Sequence, residues 1–342
     1  MNEILDPRSS APEELDFAEI VQLIDTCRGH ALQAVNTTLI DLYWQIGESI
    51  SRRLTTSEWG EGTVARLAKF ISRQMPGVRG FSRANLFRMK QFHEAYRDNQ
   101  IVSALLRQLP WTHHLIILSQ SKRPEEREFY LRMAVREQWS SRQLERQFKS
   151  ALFEQSVLNP PKVAPAVREN HPEALSIFRD SYTLEFLDLP TVHSEADLHR
   201  SLLTRMKDFL LELGRDFCFA GSEYPLQVGK LDFALDLLFY HRGLNALVAI
   251  ELKVGHFKPE YLGKLNFYLE ALDRDVRKPH ERPSIGVLLC ASKDDEVVEY
   301  ALSRTLSPAL VAEYQTMLPD KHLLQTKLHE FYQLNAPERD DA

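Results

Sequence analysis

The sequence predicts two domains, an all-α N-terminal domain and an α/β C-terminal domain. Three observations predict this. Apolar residues recur at helical spacing from residue 17 to about residue 153. The stretch NPPKVAPAVRENHPEAL (159–175) then carries four prolines and little apolar content, and it reads as a linker or an extended connection. After it, the patterns follow the order α-β-β-β-α-β, with later additions. The expected boundaries are 15–155 for the helical domain, 156–176 for the linker and 177–336 for the α/β domain. A chain of 342 residues, 44% hydrophobic and 26% charged, suits two ordinary globular domains.

The first helix is expected over residues 17–54, where Ile20, Leu23, Ile24, Leu39, Ile40, Tyr43, Trp44 and Ile46 mark a buried stripe. TSEWGEGTVARLAKFISRQMPG starts a second helical unit near Glu61 and stops it at Pro76-Gly77. VRGFSRANLFRMKQFHEAY begins a third, with Ser82 as its N-cap. LPWTHHLIILSQ and REFYLRMAVREQWSSRQLERQFKSALF continue the helical pattern. The adjacent His113 and His114 diverge by roughly 100° on a helix, which makes them poor co-ligands and points to surface or packing roles. In the C-terminal half a helix over 194–213 leads into the strand DFCFAGSEYPLQV and then into the hairpin LDFALDLLFYHRGLNALVAIELKVG (231–255). A helix over 259–273, the strand SIGVLLC, a helix beginning near Asp294, the strand ALVAEYQ and a final helix complete the chain. Lys293-Asp294-Asp295 reads as a helix start, with acids favoured by the helix dipole.

Cys27, Cys218 and Cys290 form no C-x-x-C pair, so neither a zinc site nor a disulfide framework is expected, and the setting reads as reducing and cytoplasmic. The chain shows no signal-like apolar segment and no membrane-length apolar run, so no membrane partner is expected. The net charge of -6 argues against a nucleic-acid partner, but its distribution argues for one. Residues 61–150 hold 17 Lys and Arg against 8 Asp and Glu, whereas the flanking segments are acidic. A basic block in an acidic chain is a candidate phosphate footprint, the alternative being a solvated helical surface.

The hairpin carries charge where burial makes charge costly. Asp236 sits inside its first strand, and Glu251 and Lys253 inside its second. The flanks LLFY and LVAI are apolar enough to imply strands buried on both faces. Residues two apart share a strand face, so Glu251 and Lys253 project together, and pairing across the HRGLN turn can bring Asp236 to them. Two converging carboxylates repel and favour a cation between them, and such oxygen ligands suit Mg²⁺. A lysine beside a reacting water could orient it, or stabilise charge on a phosphorane-like transition state. The alternative is a plain Asp236–Lys253 ion pair with Glu251 facing solvent. Asp232 shares strand parity with Asp236 and is an alternative to it.

These residues carry a resemblance. Asp236-Leu-Leu-Phe-Tyr-His followed by Ile-Glu251-Leu-Lys253 resembles the PD-(D/E)XK nuclease superfamily. FKPEYLGKLNFYLEALD and PSIGVLLCASK resemble one branch of it, the YhcG-like nucleases, which join an N-terminal helical domain to a C-terminal nuclease domain. VNTTLIDLYWQIG, WGEGTVARLAKFI, MPGVRGFSRANLFRMKQF, LPWTHH and REFYLRMAVREQWSSRQLERQ are similar too, so the resemblance runs from about residue 17 to 335. It implies a restriction-endonuclease-like fold with a mixed, mostly four-stranded sheet flanked by helices. It also implies a Mg²⁺-dependent DNA endonuclease, with Mn²⁺ as a substitute and no small-molecule cofactor. By position, Asp236 and Glu251 match the metal-binding acids, the Leu252 carbonyl a further ligand and Lys253 the catalytic lysine. Lys264 and Tyr268 stand where related nucleases often carry Q-x-x-x-Y, a lysine replacing the glutamine. As a donor-only cation, that lysine could hold phosphate rather than tune the metal. Superfamily members often have a glutamate on the first core helix, for which Glu195 and Asp197 are both candidates.

The basic block reads as helix, Pro-Gly turn, Ser cap, helix, consistent with a helix-turn-helix. Arg79, Arg83, Asn85, Arg88 and Lys90 are the groups that could reach phosphates or base edges. The bland alternative is a helical hairpin that serves assembly. The expected partner is DNA. Cutting both strands of a duplex at once takes two active sites, which makes a homodimer attractive. The rival to an enzyme is a DNA-binding or complex-assembling protein that uses the nuclease fold without cleaving.

Overall fold

The computed structural model describes residues 11–56, 62–99 and 103–334, and for residues 11–32 the backbone alone. Contacts divide the chain between Glu145 and Arg146 into two compact units. The helices of the first are α1 (Ala11–Thr55), α2 (Thr63–Gln74), α3 (Arg83–Tyr96), α4 (Ser103–Leu106), α5 (Trp111–Gln120), α6 (Pro124–Arg136) and the start of α7 (Ser141–Lys149). Among the described residues this unit contains no strand. The expected stripe on α1 is inward-facing where it is described, with Ile40 and Tyr43 buried and Leu39 and Ile46 packed beside the core. Ile20, Leu23 and Ile24 have side chains outside the described residues, and so does Cys27. The expected start at Glu61 also lies outside them. Ser82 caps α3 as its sequence predicts, its Oγ accepting the Asn85 N–H.

α1 lies against α3 at close range because position 47 is glycine. A Cβ there would overlap the Met89 carbonyl oxygen, a backbone atom with no rotamer to escape into. Gly47→Ala is expected to cost about 1–3 kcal/mol through forced separation of the two helices. A urea titration followed by tryptophan fluorescence measures it, and an unchanged midpoint would refute it. His113 and His114 are packing residues and not surface ones, since both are buried. Each ring Nε2 pairs with a backbone carbonyl, of Trp139 at 2.7 Å and Leu106 at 2.9 Å. Burial pushes the His114 pKa down to about 4.

The second unit opens with α8 (Leu152–Leu158), β1 (Lys162–Val163), α9 (Pro165–Asn170), α10 (Ala174–Ile177) and β2 (Ser181–Thr183). The stretch expected as a linker is therefore built into the fold. Val163 pairs with Leu310, and Ala164, Val167 and Ala174 are core residues. Proline misleads here because Pro165 occupies the first turn of α9, where its missing N–H is not needed. Next come α11 (Glu195–Thr204), α12 (Met206–Leu213), β3 (Phe217–Val228), β4 (Leu231–His241), β5 (Ala246–His256), α13 (Glu260–Ala271), β6 (Arg282–Ser292), α14 (Asp295–Leu302), β7 (Ala309–Gln315) and α15 (Lys321–Leu334). The single helix expected over 194–213 breaks at Arg205, whose guanidinium turns to Asp208 and over the Phe186 ring. Asp294 caps α14 as expected, and Lys293 beside it is buried on Asp180 and Asp295.

Among the described residues the sheet is mixed and has seven strands, in the order β1-β7-β6-β5-β4-β3 with β2 on β7. β3, β4 and β5 run antiparallel, whereas β5, β6 and β7 are parallel. It is wider than the mostly four-stranded sheet the resemblance implied, because β7 and the short strands β1 and β2 extend it, β1 coming from the proline-rich stretch. Its core is continuous, and the apolar run of β5 is buried on both faces. Gly286 on β6 lets α13 sit close, since a Cβ there would meet Leu265 Cγ at 2.8 Å. Glu212 on α12 is buried and accepts from Arg146 at 2.6 Å, Arg179 at 3.1 Å and the Thr183 N–H at 2.9 Å. No helix among the described residues is long and apolar enough to cross a membrane.

Candidate active site

The hairpin register brings the sequence-predicted acids together. β4 and β5 pair from His241↔Ala246 to Leu237↔Ile250, so Asp236 and Glu251 are the next residues along. The turn is held by the Leu244 N–H on His241 Nδ1 at 3.0 Å and the Tyr240 hydroxyl on Asn245 at 2.6 Å. Where the paired rungs end, Asp236 Oδ2 accepts the Leu252 N–H at 2.8 Å. The carboxylate thus ties β4 to β5 as the ladder stops. Asp232 is exposed and paired in register with Gln227, outside this group.

Glu251 is 0% exposed, which removes the alternative in which it faced solvent. Its Oε1 accepts from Lys264 Nζ at 2.5 Å and Lys253 Nζ at 3.3 Å. Its Oε2 is buried with no hydrogen-bond partner. Burial raises the Glu251 pKa and the Asp236 charge raises it further, with Lys264 and Lys253 opposing. Lys253 does not form a simple pair with Asp236. Its Nζ lies 2.7 Å from the Leu252 carbonyl, 3.2 Å from Glu195 Oε2 and 5.6 Å from the centre of the Tyr261 ring. Burial by itself lowers the Lys253 pKa, but Glu251 and Glu195 reverse this and hold it above the usual lysine value.

The structure separates the two helix-borne acids. Glu195 reaches Lys253, whereas Asp197 completes a capping box, taking the Ser194 N–H and hydroxyl. Lys264 is placed on Glu251 and over the Tyr268 ring, 5.2 Å from its centre. Its pKa is held up by Glu251 against the effect of burial. The Tyr268 hydroxyl donates to the Ala234 carbonyl at 3.1 Å, which ties α13 to β4. Two neighbours escaped the sequence reading. His199 Nε2 donates to the Asp236 carbonyl at 3.2 Å, and Tyr261 underlies Lys253. The signal for His199 was its position four residues after Glu195, on the same helix face. Cys290 is the register partner of Lys253, and burial pushes its thiol up to about 12.

A divalent cation fits the donor set. Among the described residues no group of three or more His, Cys, Asp or Glu side chains forms a metal cluster. What converges is two carboxylates and a backbone carbonyl, all hard oxygen donors. The buried Oε2 of Glu251 is left without a partner.

The residues expected to touch DNA fall into two sets. Arg79, Arg83 and Arg88 are exposed, and Arg83 stacks on Phe87 at 5.6 Å. Asn85 is engaged internally, with its amide donating to the Gly80 carbonyl and its oxygen accepting from Trp111 Nε1 at 3.1 Å. Lys90 pairs with Glu94 at 2.9 Å. Each end of the Asn85 amide thus has one partner within the fold, which leaves one donor and one acceptor site on it.

The comparisons with known proteins also match the chain in two parts. Residues 175–329 match the YhcG PDDEXK nuclease domain, and residues 19–155 match the DUF1016 N-terminal domain. The protein named "Putative nuclease YhcG" of Escherichia coli (strain K12) is 32% identical over 347 residues, covering 90% of this chain and 92% of its own. Among solved structures, a repair endonuclease from Pyrococcus abyssi aligns over 38% of this chain and 49% of its own, at 15% identity and a TM-score of 0.25. EndoMS in apo form aligns over 38% and 48%, at 14% identity and a TM-score of 0.24. With the family's two domains matched in order and a relative of this identity aligned along nearly its whole length, the chain belongs to the YhcG family of PDDEXK nuclease-domain proteins.

Proposed function

We propose that the chain is a Mg²⁺-dependent endonuclease that hydrolyses DNA phosphodiester bonds, with its basic helical unit contacting the DNA. One observation carries the reading: Asp236, Glu251 and Lys253 meet where the β4–β5 ladder ends, with Glu251 wholly buried and one of its oxygens unpartnered. Asp236, Glu251 and the Leu252 carbonyl would hold the ion. When bound, Mg²⁺ supplies Lewis-acid chemistry, polarising a phosphoryl oxygen and making water more acidic. Lys253 keeps its proton, because the surrounding carboxylates raise its pKa. It therefore acts as a fixed positive donor and not as a base, orienting the attacking water or meeting charge as it develops on the phosphate. Glu195 and the Tyr261 ring hold that ammonium in place. A second copy of the chain would supply the second site needed for a double-strand cut.

A non-cleaving role has one observation in its favour. Lys264 replaces an amide of related sites and sits on Glu251, so two ammonium groups compete with a metal for the same carboxylate. Incubating supercoiled plasmid with the full chain, with and without Mg²⁺, separates the readings. Mg²⁺-dependent nicking or linearisation is expected. An intact plasmid at high enzyme concentration, with both Mg²⁺ and Mn²⁺, would refute the enzyme.

A further inference from the structure

The base-reading role suggested for α3 leaves a neighbouring surface unassigned. Asn85 and Lys90 each have a partner within the fold, and the inner face of α3 is buried through Leu86, Met89 and Phe92. On α2, Arg66, Lys69, Phe70 and Arg73 are all exposed. Their spacing places them along one helical stripe, about 10 Å long. The opposite face of α2 packs inward through Val64, Ala68 and Ile71, so the stripe is not the core-facing side. Together with Thr63 and Leu67, these four side chains line a shallow groove of ≈ 450 Å³.

Two features of this stripe point to its occupant. From Gly62 to His93 the chain carries seven Lys and Arg and no carboxylate. A stripe that served an ordinary protein contact or a solvated surface has no reason to exclude acids over so long a run, whereas a polyanion does. The second feature is Phe70, 60% exposed and flanked along the helix by Arg66, Lys69 and Arg73. A ring exposed among cations offers a face on which a base can stack, while the guanidinium and ammonium groups take the backbone phosphates. Stacking of this kind needs bases turned out of a duplex. Paired bases present only their edges in the grooves.

We propose that the α2 stripe binds an unpaired DNA strand, with Phe70 as the stacking platform and Arg66, Lys69 and Arg73 as phosphate contacts. The inference rests on the nuclease reading only for the choice of DNA as substrate, and it directs the family's activity towards DNA that carries a single-stranded segment.

Fluorescence anisotropy of the full chain in EDTA, where no cleavage occurs, tests the stripe independently of turnover. A labelled single strand is expected to bind more tightly than the same sequence as a blunt duplex. Phe70→Ala is expected to weaken single-strand binding roughly tenfold and duplex binding little, while Phe70→Trp restores it. Arg66→Gln with Arg73→Gln is expected to flatten the log-log salt dependence by about 0.7 per lost phosphate contact. Circular dichroism establishes that each variant is folded. Equal single-strand affinity for folded Phe70→Ala and wild type would overturn the proposal, as would a duplex preference in the wild type. So would a Phe70→Ala change from dimer to monomer in light scattering without loss of DNA binding, which would assign the ring to self-association. Loss of cleavage with these binding results intact would count against the enzyme and not against the stripe.

Discussion

Lys253→Ala protein is expected to lose cleavage by about 10²–10³-fold or more while its DNA affinity stays nearly unchanged. The two readouts separate because they depend on different parts of the molecule. Lys253 is 13% exposed and its ammonium is aimed at Glu251, Glu195 and the Leu252 carbonyl, so on the proposed reading it contributes one positive charge at the reacting centre. Affinity instead follows the number of phosphates neutralised across a surface, where one partly buried charge is a minor share. Because the Lys253 pKa is held above the usual value, its loss removes a positive donor and not a base. Lys253→Arg should consequently recover more activity than Lys253→Gln. Time courses of plasmid nicking, with anisotropy on the same preparations, check the split. Full activity in the alanine variant would make Lys253 structural.

Asp236→Asn is expected to abolish Mn²⁺ binding in isothermal titration and to remove the rise in Tm that Mn²⁺ gives the wild type. The amide keeps an oxygen for the Leu252 N–H, so the β4–β5 tie survives while the charge is lost. Glu251 explains the direction of the stability effect. Its pKa is raised, first by burial and then by Asp236. A carboxyl raised in this way favours the folded chain below its unfolded pKa, and that contribution is lost as pH rises through the folded pKa. At neutral pH the metal-free site therefore costs stability, and the Asp236→Asn change removes the repulsion that adds to the cost. The variant without metal should be at least as stable as the wild type. A ligand at 100 times its Kd stabilises a protein by about 2.7 kcal/mol, which is the scale expected for the wild type alone. Identical Mn²⁺ isotherms for the two proteins would remove Asp236 from the metal site.

The residues that the sequence made legible are those whose type contradicts their surroundings. Asp236, Glu251 and Lys253 stand out because the strands around them are otherwise apolar, and strand parity alone places Glu251 with Lys253. The choice between Glu195 and Asp197 was also within reach. Ser194 and Asp197 have capping-box spacing, which engages Asp197 at the helix start and leaves Glu195 to face the hairpin. The contact of Lys264 with Glu251 was not legible, because it depends on how closely α13 approaches the sheet over Gly286. The same holds for Glu212, whose partners Arg146 and Arg179 are remote in sequence. The elements within the proline-rich stretch are illegible for a different reason. Composition reports proline content, but only the local backbone shows whether a proline starts a helix or interrupts one. Asn85 fits a base-reading position by type, and its contacts with Gly80 and Trp111, remote in the pattern, could not be read from the sequence.

The balance of charge around Glu251 has a consequence for the order of events. Three carboxylates, Glu195, Asp236 and Glu251, face two ammonium groups, Lys253 and Lys264. The cluster is net negative, so a phosphodiester that approaches it alone meets repulsion. A dication reverses the sign of the same cluster. On the proposed reading, cation and nucleic acid then become positive cooperators, and linkage requires each to raise the other's affinity by the same factor. DNA gripped elsewhere on the protein would stay unengaged at the scissile position until the ion arrives, and the ion would be held more tightly with DNA than without it. Commitment to cutting would then respond to the product of two concentrations instead of to either alone.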